Sequence, residues 1–212
     1  MKIPAAEFEK SALHPRDCPK QKLPEVAFAG RSNVGKSSVM NTLLGRRGLV
    51  KTSSTPGKTQ TLNFFRVRSG KAEFRFVDLP GYGFAKVPER MRKSWAKIIE
   101  TYLEGREQLR GVVVILDIRR GVTEMDRELL DWLAAAGIEA LIVLTKADKV
   151  SGSKRAAAAA TVQRELRREL RIEPPLGPED PVVFSSANGL GKDALWRRLN
   201  GWLRTPAGVS RK

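Results

Sequence analysis

The sequence predicts a three-layer α/β domain, with a sheet between two layers of helices. Three observations carry that expectation. Apolar strand-like runs alternate with segments of helical periodicity over most of the chain. Residues 111–117 and 138–144 are continuously apolar, as strands buried on both faces are. Early in the chain, two strand-like segments flank the turn Ser69-Gly70, the signature of a hairpin.

The elements follow in order. Residues 1–23 mix Lys, Glu, Pro and Asp and read as a polar N-terminal arm. Residues 24–30 form the first strand and 36–44 the first helix, with Gly45 as its stop. Residues 45–61, rich in Gly, Arg, Lys, Ser and Thr, have no hydrophobic period and read as a long functional loop. Residues 61–68 and 71–77 are the hairpin strands, and 78–87 is a second loop. Residues 88–104 form a helix whose Met91, Trp95, Ile98, Ile99 and Tyr102 recur at helical spacing, opposite Arg90, Arg92, Lys93 and Lys97. After the strand 111–117, Thr123 caps a helix with Asp126 in the capping-box position, and Gly137 ends it. The strand 138–144 comes next, then an Ala- and Arg-rich helix over 153–171. A loop at 174–181, a strand at 181–184 and a helix over 190–203 complete the domain, leaving 205–212 as a basic tail. The expected organisation is arm 1–23, domain 24–204 and tail 205–212.

Composition narrows the chemistry. The chain has 212 residues and 41% apolar content, enough for a sizeable core. No apolar run approaches the ~20 residues that span a bilayer, and residues 1–22 lack the apolar core of a signal peptide, so a cytoplasmic protein without membrane contact is expected. Cys18 and His14 are the sole cysteine and histidine, which excludes an internal disulfide and a cysteine metal cluster. A net charge of +16 favours a polyanionic partner.

Four stretches carry chemistry. Gly30-Arg31-Ser32-Asn33-Val34-Gly35-Lys36-Ser37 fits G-x-x-x-x-G-K-[ST], between a strand and a helix that opens on Ser37-Ser38. Its glycines let successive N–H groups turn inward towards phosphates, Lys36 adds a full charge, and the Ser37 hydroxyl can ligate Mg²⁺. Asp78-Leu79-Pro80-Gly81 follows a strand. By itself it is equally a plain turn, but downstream of a phosphate loop it suits a water-bridged Mg²⁺ carboxylate and an N–H facing a terminal phosphate. Thr145-Lys146-Ala147-Asp148 ends a buried strand, where a carboxylate can accept from guanine N1–H and its amino group together and so reject adenine. Phe184-Ser185-Ser186-Ala187 could offer backbone N–H groups to guanine O6, although a capped helix entry explains it as well.

Together with Thr55-Pro56-Gly57-Lys58-Thr59-Gln60 and Asp78-Leu79-Pro80-Gly81-Tyr82-Gly83, these stretches resemble the EngB family of TRAFAC-class GTPases, over about residues 25–203. The resemblance implies a Ras-like fold, a mixed six-stranded sheet in which only the second strand is antiparallel. It makes residues 45–61 and 79–88 the two switch loops. It adds Gly57, Lys58, Thr59, Gln60 and Thr61 to the nucleotide contacts, with Thr59 a second Mg²⁺ ligand and Lys36, Thr59 and Gly81 the catalytic candidates. It implies GTP and GDP as ligands, a role in assembly of the large ribosomal subunit, and a need in cell division and septation. A monomer is expected.

Two positions depart from the Ras pattern. Tyr82 stands where Ras places a water-orienting Gln, so unassisted turnover on the order of 10⁻⁴–10⁻² s⁻¹ is expected. Thr145 stands where many GTPases have Asn, which points to modest nucleotide affinity. By the same resemblance Asn33 is a candidate to hold K⁺ against the phosphates, set against the plainer role of satisfying backbone groups in its loop. The basic groups Arg46, Arg47, Lys51 and Lys58, with Arg90, Arg92, Lys93 and Lys97, flank the switches and are read as rRNA contacts. Arg164, Arg167, Arg168 and Arg171 alternate with Glu165 and Glu169 and are read as a solvated face. A small-molecule P-loop kinase and a nucleotide-binding septation factor without hydrolysis are the rival readings.

Overall fold

The computed structural model describes residues 4–51, 61–82, 89–169 and 180–204, and for residues 15, 89–96 and 168–169 the backbone alone. The strands are β1 (Ala5–Ala12), β2 (Glu25–Gly30), β3 (Leu62–Ser69), β4 (Ala72–Asp78), β5 (Leu109–Asp117), β6 (Ala140–Thr145) and β7 (Val182–Val183). The helices are α1 (Lys36–Leu44), α2 (Glu89–Gly105), α3 (Glu124–Ala135), α4 (Gly152–Glu169) and α5 (Lys192–Arg204). One seven-stranded sheet runs in the order β1-β3-β4-β2-β5-β6-β7. β3 is antiparallel to both of its neighbours, and the pairs from β4 through β7 are parallel.

The period-2 alternation of strand side chains sends neighbouring residues to opposite faces. Ala27 and Ala29 of β2, with Val112, Val114 and Leu116 of β5, face Tyr102 and Leu103 of α2, Leu130 and Leu133 of α3 and Val162 and Leu166 of α4. Val26, Phe28, Val113 and Ile115 face Val39, Met40 and Leu43 of α1 and Leu195, Trp196 and Leu199 of α5. Both faces are buried, which is why β5 and β6 read as unbroken apolar runs.

The expected hairpin is present, with Ser69 paired to Ala72. The sheet has seven strands rather than six, because Ala5–Ala12 of the segment read as a polar arm pairs along β3. The sequence conceals β1 because an edge strand with one covered face needs few apolar residues. Phe8 packs edge-on against Phe65 at 5.7 Å between ring centroids, and Arg68 and Arg75 reach back to Glu7 and Glu9.

A buried ionic network sits at the start of β2. Glu25 and Arg75 are both fully buried. Arg106 holds Glu25 with two bonds of 2.8 and 2.6 Å, and Tyr102 donates to it at 3.1 Å. Arg75 reaches Glu25 at 3.4 Å, grips Glu9 with bonds of 2.7 and 3.1 Å, and donates to the Gln21 carbonyl at 2.8 Å. The network joins β1, β2, β4 and the end of α2. Burial, and then the Glu25 charge, push the Tyr102 phenol well above its ordinary range.

Candidate nucleotide site

Parallel strands β4, β2, β5 and β6 end together, and their last residues, Asp78, Gly30, Asp117 and Thr145, open onto one edge. In an open α/β sheet, ligands bind at this carboxyl edge. β2 runs through Gly30 into a loop that closes at the start of α1. Gly35 holds φ of 106°, a conformation that side chains rarely adopt, and Asn33 is left-handed at 63°. A Cβ on Gly30 would lie 2.9 Å from both the Ile115 carbonyl oxygen and Val34, so the loop leaves the sheet with no room for a side chain.

Lys36 pairs with Asp78 across the mouth of this loop, where both side chains are nearly buried. The loop is braced from β6. The Thr145 hydroxyl lies 2.7 Å from the Val34 carbonyl and 2.9 Å from that of Leu116, and its single proton serves one at a time. Lys146, itself at φ 60°, donates to the Asn33 carbonyl at 2.8 Å and pairs with Asp117 at 2.9 Å. Thr145 is therefore a brace on the phosphate loop. Burial opposes the charge on Asp117, but bonds from Arg119 and Lys146 outweigh it and hold this carboxyl well below the usual range.

The two base-loop stretches meet. Ala147 N–H donates to the Phe184 carbonyl at 3.1 Å. The Ser185 hydroxyl, fully buried, donates to Asp148 at 2.7 Å and accepts from Ala187 N–H at 3.2 Å. That hydrogen bond lowers the Asp148 pKa, so a carboxylate acceptor stands ready at neutral pH. Phe184 itself is fully buried in the core, and Ser186 and Ala187 are exposed.

The loop after β4 leans on the phosphate loop. Ser32 N–H donates to the Tyr82 carbonyl at 2.9 Å, and a Cβ on Gly81 would meet Ser32 Oγ at 3.2 Å. Leu79 is a core residue, with its N–H on the Phe28 carbonyl at 3.0 Å, and Pro80 is buried. The Tyr82 side chain turns inward: its hydroxyl donates to Asp126 at 2.7 Å, and the same carboxylate accepts from Thr123 N–H at 2.9 Å and Thr123 Oγ1 at 2.6 Å. Held there, Tyr82 is unable to do the work of a water-orienting glutamine. Residues 31–34, with Asp117, Arg119, Arg120, Thr123, Asp126 and Lys146, line a cleft of about 340 Å³.

Of the expected site residues, Gly57, Lys58, Thr59 and Gln60 lie outside the described residues, as does Gly83. Thr61 donates to Asn63 at 3.2 Å. The side chains of Arg90, Arg92 and Lys93 are also outside the description, whereas Arg46, Arg47, Lys51 and Lys97 are exposed. Asn33 is exposed, its carbonyl accepts from Lys146, and its side-chain amide makes no hydrogen bond among the described residues. The sequence did not disclose Asp117, the bond from Tyr82 to Asp126, or the bond from the buried Ser185 hydroxyl to Asp148. An aspartate ending a buried apolar strand was the available signal for the first.

Ser37 and Asp78 fit Mg²⁺. They offer a hydroxyl and a carboxylate oxygen beside a phosphate loop, and Mg²⁺ takes few protein oxygens and keeps phosphates and waters. Among the described residues no group of three or more His, Cys, Asp or Glu side chains could hold a metal by itself.

A glycine-turned phosphate loop at the carboxyl edge of a mixed sheet, with Lys36 against Asp78 and Asp148 against Ser185, defines a P-loop GTPase. A family described as 50S ribosome-binding GTPase matches residues 25–146. A protein named probable GTP-binding protein EngB, from Citrifermentans bemidjiense, is 48% identical over 207 residues, 98% of this chain and 92% of that protein. The chain belongs to the EngB family of GTP-binding proteins. A crystal structure of a probable GTP-binding protein engB superposes with TM-score 0.62 at 20% identity, over 85% of this chain and 98% of that one. Era in complex with MgGDPNP and nucleotides 1506–1542 of 16S ribosomal RNA gives TM-score 0.68 at 23% identity, over 90% of this chain and 60% of that one. These two superpositions establish the fold.

Proposed function

We propose that this protein is a slow GTPase switch that docks on rRNA-rich precursors of the large ribosomal subunit. The observation that carries the reading is the Lys36–Asp78 pair beside Ser37. With a nucleotide and its metal bound, Lys36 would serve the β- and γ-phosphates, Ser37 would offer its hydroxyl oxygen to Mg²⁺, and Asp78 would hold the metal through water. Mg²⁺ supplies charge neutralisation on the phosphates. Gly81 N–H would face the γ-phosphate, Thr59 would be a second protein ligand of the metal, and the loops 45–61 and 79–88 would serve as the two switches that tell GTP from GDP. Asp148 reads guanine, with Lys146 along the base and the 184–187 loop towards O6. Residues 24–204 hold the GTP-binding residues, the N-terminal segment 1–23 adds β1 to their sheet, and 205–212 follow as a basic tail. The protein works as a cytoplasmic monomer, and its role in ribosome assembly underlies a need in cell division and septation.

The ribosomal partner is supported by the charge of +16 and by the family description naming a 50S ribosome-binding GTPase. Co-sedimentation with 50S, 30S and 70S particles tests it. More protein should pellet with 50S in a non-hydrolysable GTP analogue than in GDP, and binding should fall steeply with salt as counterions are released. Equal pelleting in both nucleotides, or none, removes the ribosome from the reading.

Without a water-orienting glutamine, stabilising the transition-state charge would carry more of the catalysis. Asn33 can hold K⁺ near the phosphate oxygens, where an arginine finger is otherwise worth ~10³–10⁵ in rate. Hydrolysis should therefore run faster in K⁺ than in Na⁺ at equal ionic strength, and the difference should vanish in Asn33→Ala. Equal wild-type rates in the two salts, with and without ribosomal particles, take the cation out of the mechanism.

A further inference from the structure

Ser37 and Asn41 are four residues apart on α1 and so share one face of the helix. Asn41 uses both ends of its amide on one residue. Its Nδ2 donates to the Val50 carbonyl at 2.9 Å, and Val50 N–H donates to its Oδ1 at 2.9 Å. The amide thus takes both backbone groups of Val50, as a neighbouring strand would. Val50 is 1% exposed, in the core cluster that includes Val39, Met40 and Leu43 of α1. A side-chain amide carries a donor and an acceptor side by side, whereas a carboxylate offers acceptors alone.

One residue further on, the Lys51 carbonyl lies 3.4 Å from Ser37 Oγ, which donates to it. The contact is long, and its direction is what matters. A serine hydroxyl ligates a metal through an oxygen lone pair and must send its proton elsewhere. A partner that takes that proton orients the ligand, as outer-shell groups do at metal sites in general. The Lys51 carbonyl is placed to be that partner, and Asn41 is what holds the chain at Val50.

We propose that Asn41 is a positioning residue for the metal corner of the site. Clasping Val50, it keeps the Lys51 carbonyl where it takes the Ser37 proton, and this aims the Ser37 lone pair at Mg²⁺. The inference rests on the GTP·Mg²⁺ reading above. Asn41 acts through Val50, Lys51 and Ser37, and it leaves the phosphate loop's own contacts untouched.

The test uses the full chain and a fluorescent GDP analogue, titrated over a Mg²⁺ series and in EDTA. Two variants are compared with wild type. Asn41→Ala removes both bonds. Asn41→Asp is isosteric, keeps the acceptor for Val50 N–H and sets a carboxylate against the Val50 carbonyl, so it tests the clasp without opening a gap if the alanine variant fails to fold. In both, the Mg²⁺ concentration for half-maximal tight binding should rise about 10–100-fold, the loss typical of outer-shell changes, with affinity in EDTA unchanged. Ser37→Ala sets the upper limit of the effect. An unchanged Mg²⁺ requirement in folded variants overturns the proposal. So does equal weakening with and without Mg²⁺, which would make Asn41 a structural staple alone. Wild-type binding that ignores Mg²⁺ instead refutes the GTP·Mg²⁺ reading beneath it, and the two failures are distinguishable.

Discussion

At the scale of single residues, the site depends on where protons and charges are held. Asp148 accepts from the buried Ser185 hydroxyl at 2.7 Å, which favours its ionised form, and its other oxygen lies 3.4 Å from Lys149 Nζ. Asp148→Asn turns one acceptor into a donor. Competition binding should show GTP weakened and xanthosine triphosphate favoured, because the amide can donate to the xanthine carbonyl. A mismatch that leaves buried polar groups unpaired costs ~10⁴ or more in discrimination where a site is built on hydrogen bonds, so the switch should be large. GTP that keeps its wild-type margin would show that Asp148 does not read the base. Thr145 shows what the sequence conceals at this scale. Its place after a buried strand was legible, but its use as a brace on the Val34 carbonyl, 111 residues away in the chain, was not. A hydroxyl can bond in several directions, and only packing chooses among them.

Elements are joined by a few buried polar contacts. Tyr82, next to Gly81, is pinned to the start of α3 through Asp126, which also forms the capping box with Thr123. Burial first, and then the Asp126 charge, raise the Tyr82 phenol well above its ordinary range, so it stays a neutral donor at any working pH. Tyr82→Phe keeps the ring and removes the donor. Denaturant unfolding should show a loss of about 1.5–3 kcal/mol, the usual worth of a hydrogen bond to a charged group. Hydrogen exchange at the first turn of α3 should quicken with it. Unchanged stability and unchanged exchange would mean that Thr123 alone satisfies Asp126. The capping box was readable from Thr123 and its spacing to Asp126. The tie to Tyr82 was not, because nothing local to either segment requires the other.

For the whole molecule, the alternation of strands and helices, the two unbroken apolar runs, the hairpin and the phosphate loop were all determined by the sequence. Each rests on local spacing: a period of 2 or 3.6, a glycine where φ must be positive, a cap three residues from its partner. The same local signals gave the three layers and set three of the motifs after strands. Tertiary structure alone decided the rest. It made Ala5–Ala12 a seventh strand, because an edge strand is held by backbone pairing to β3 and by Arg75 on Glu9, neither of which leaves an apolar pattern behind. It buried Glu25 under Arg106, Arg75 and Tyr102, an arrangement that the reading of residues 24–30 as a strand does not supply. And it set Asn41 across Val50 and Ser37 beneath Lys51. A polar side chain states what it can bond to, but the partner is fixed by how distant segments pack, and a buried charge is tolerable only where that packing brings its counter-charge.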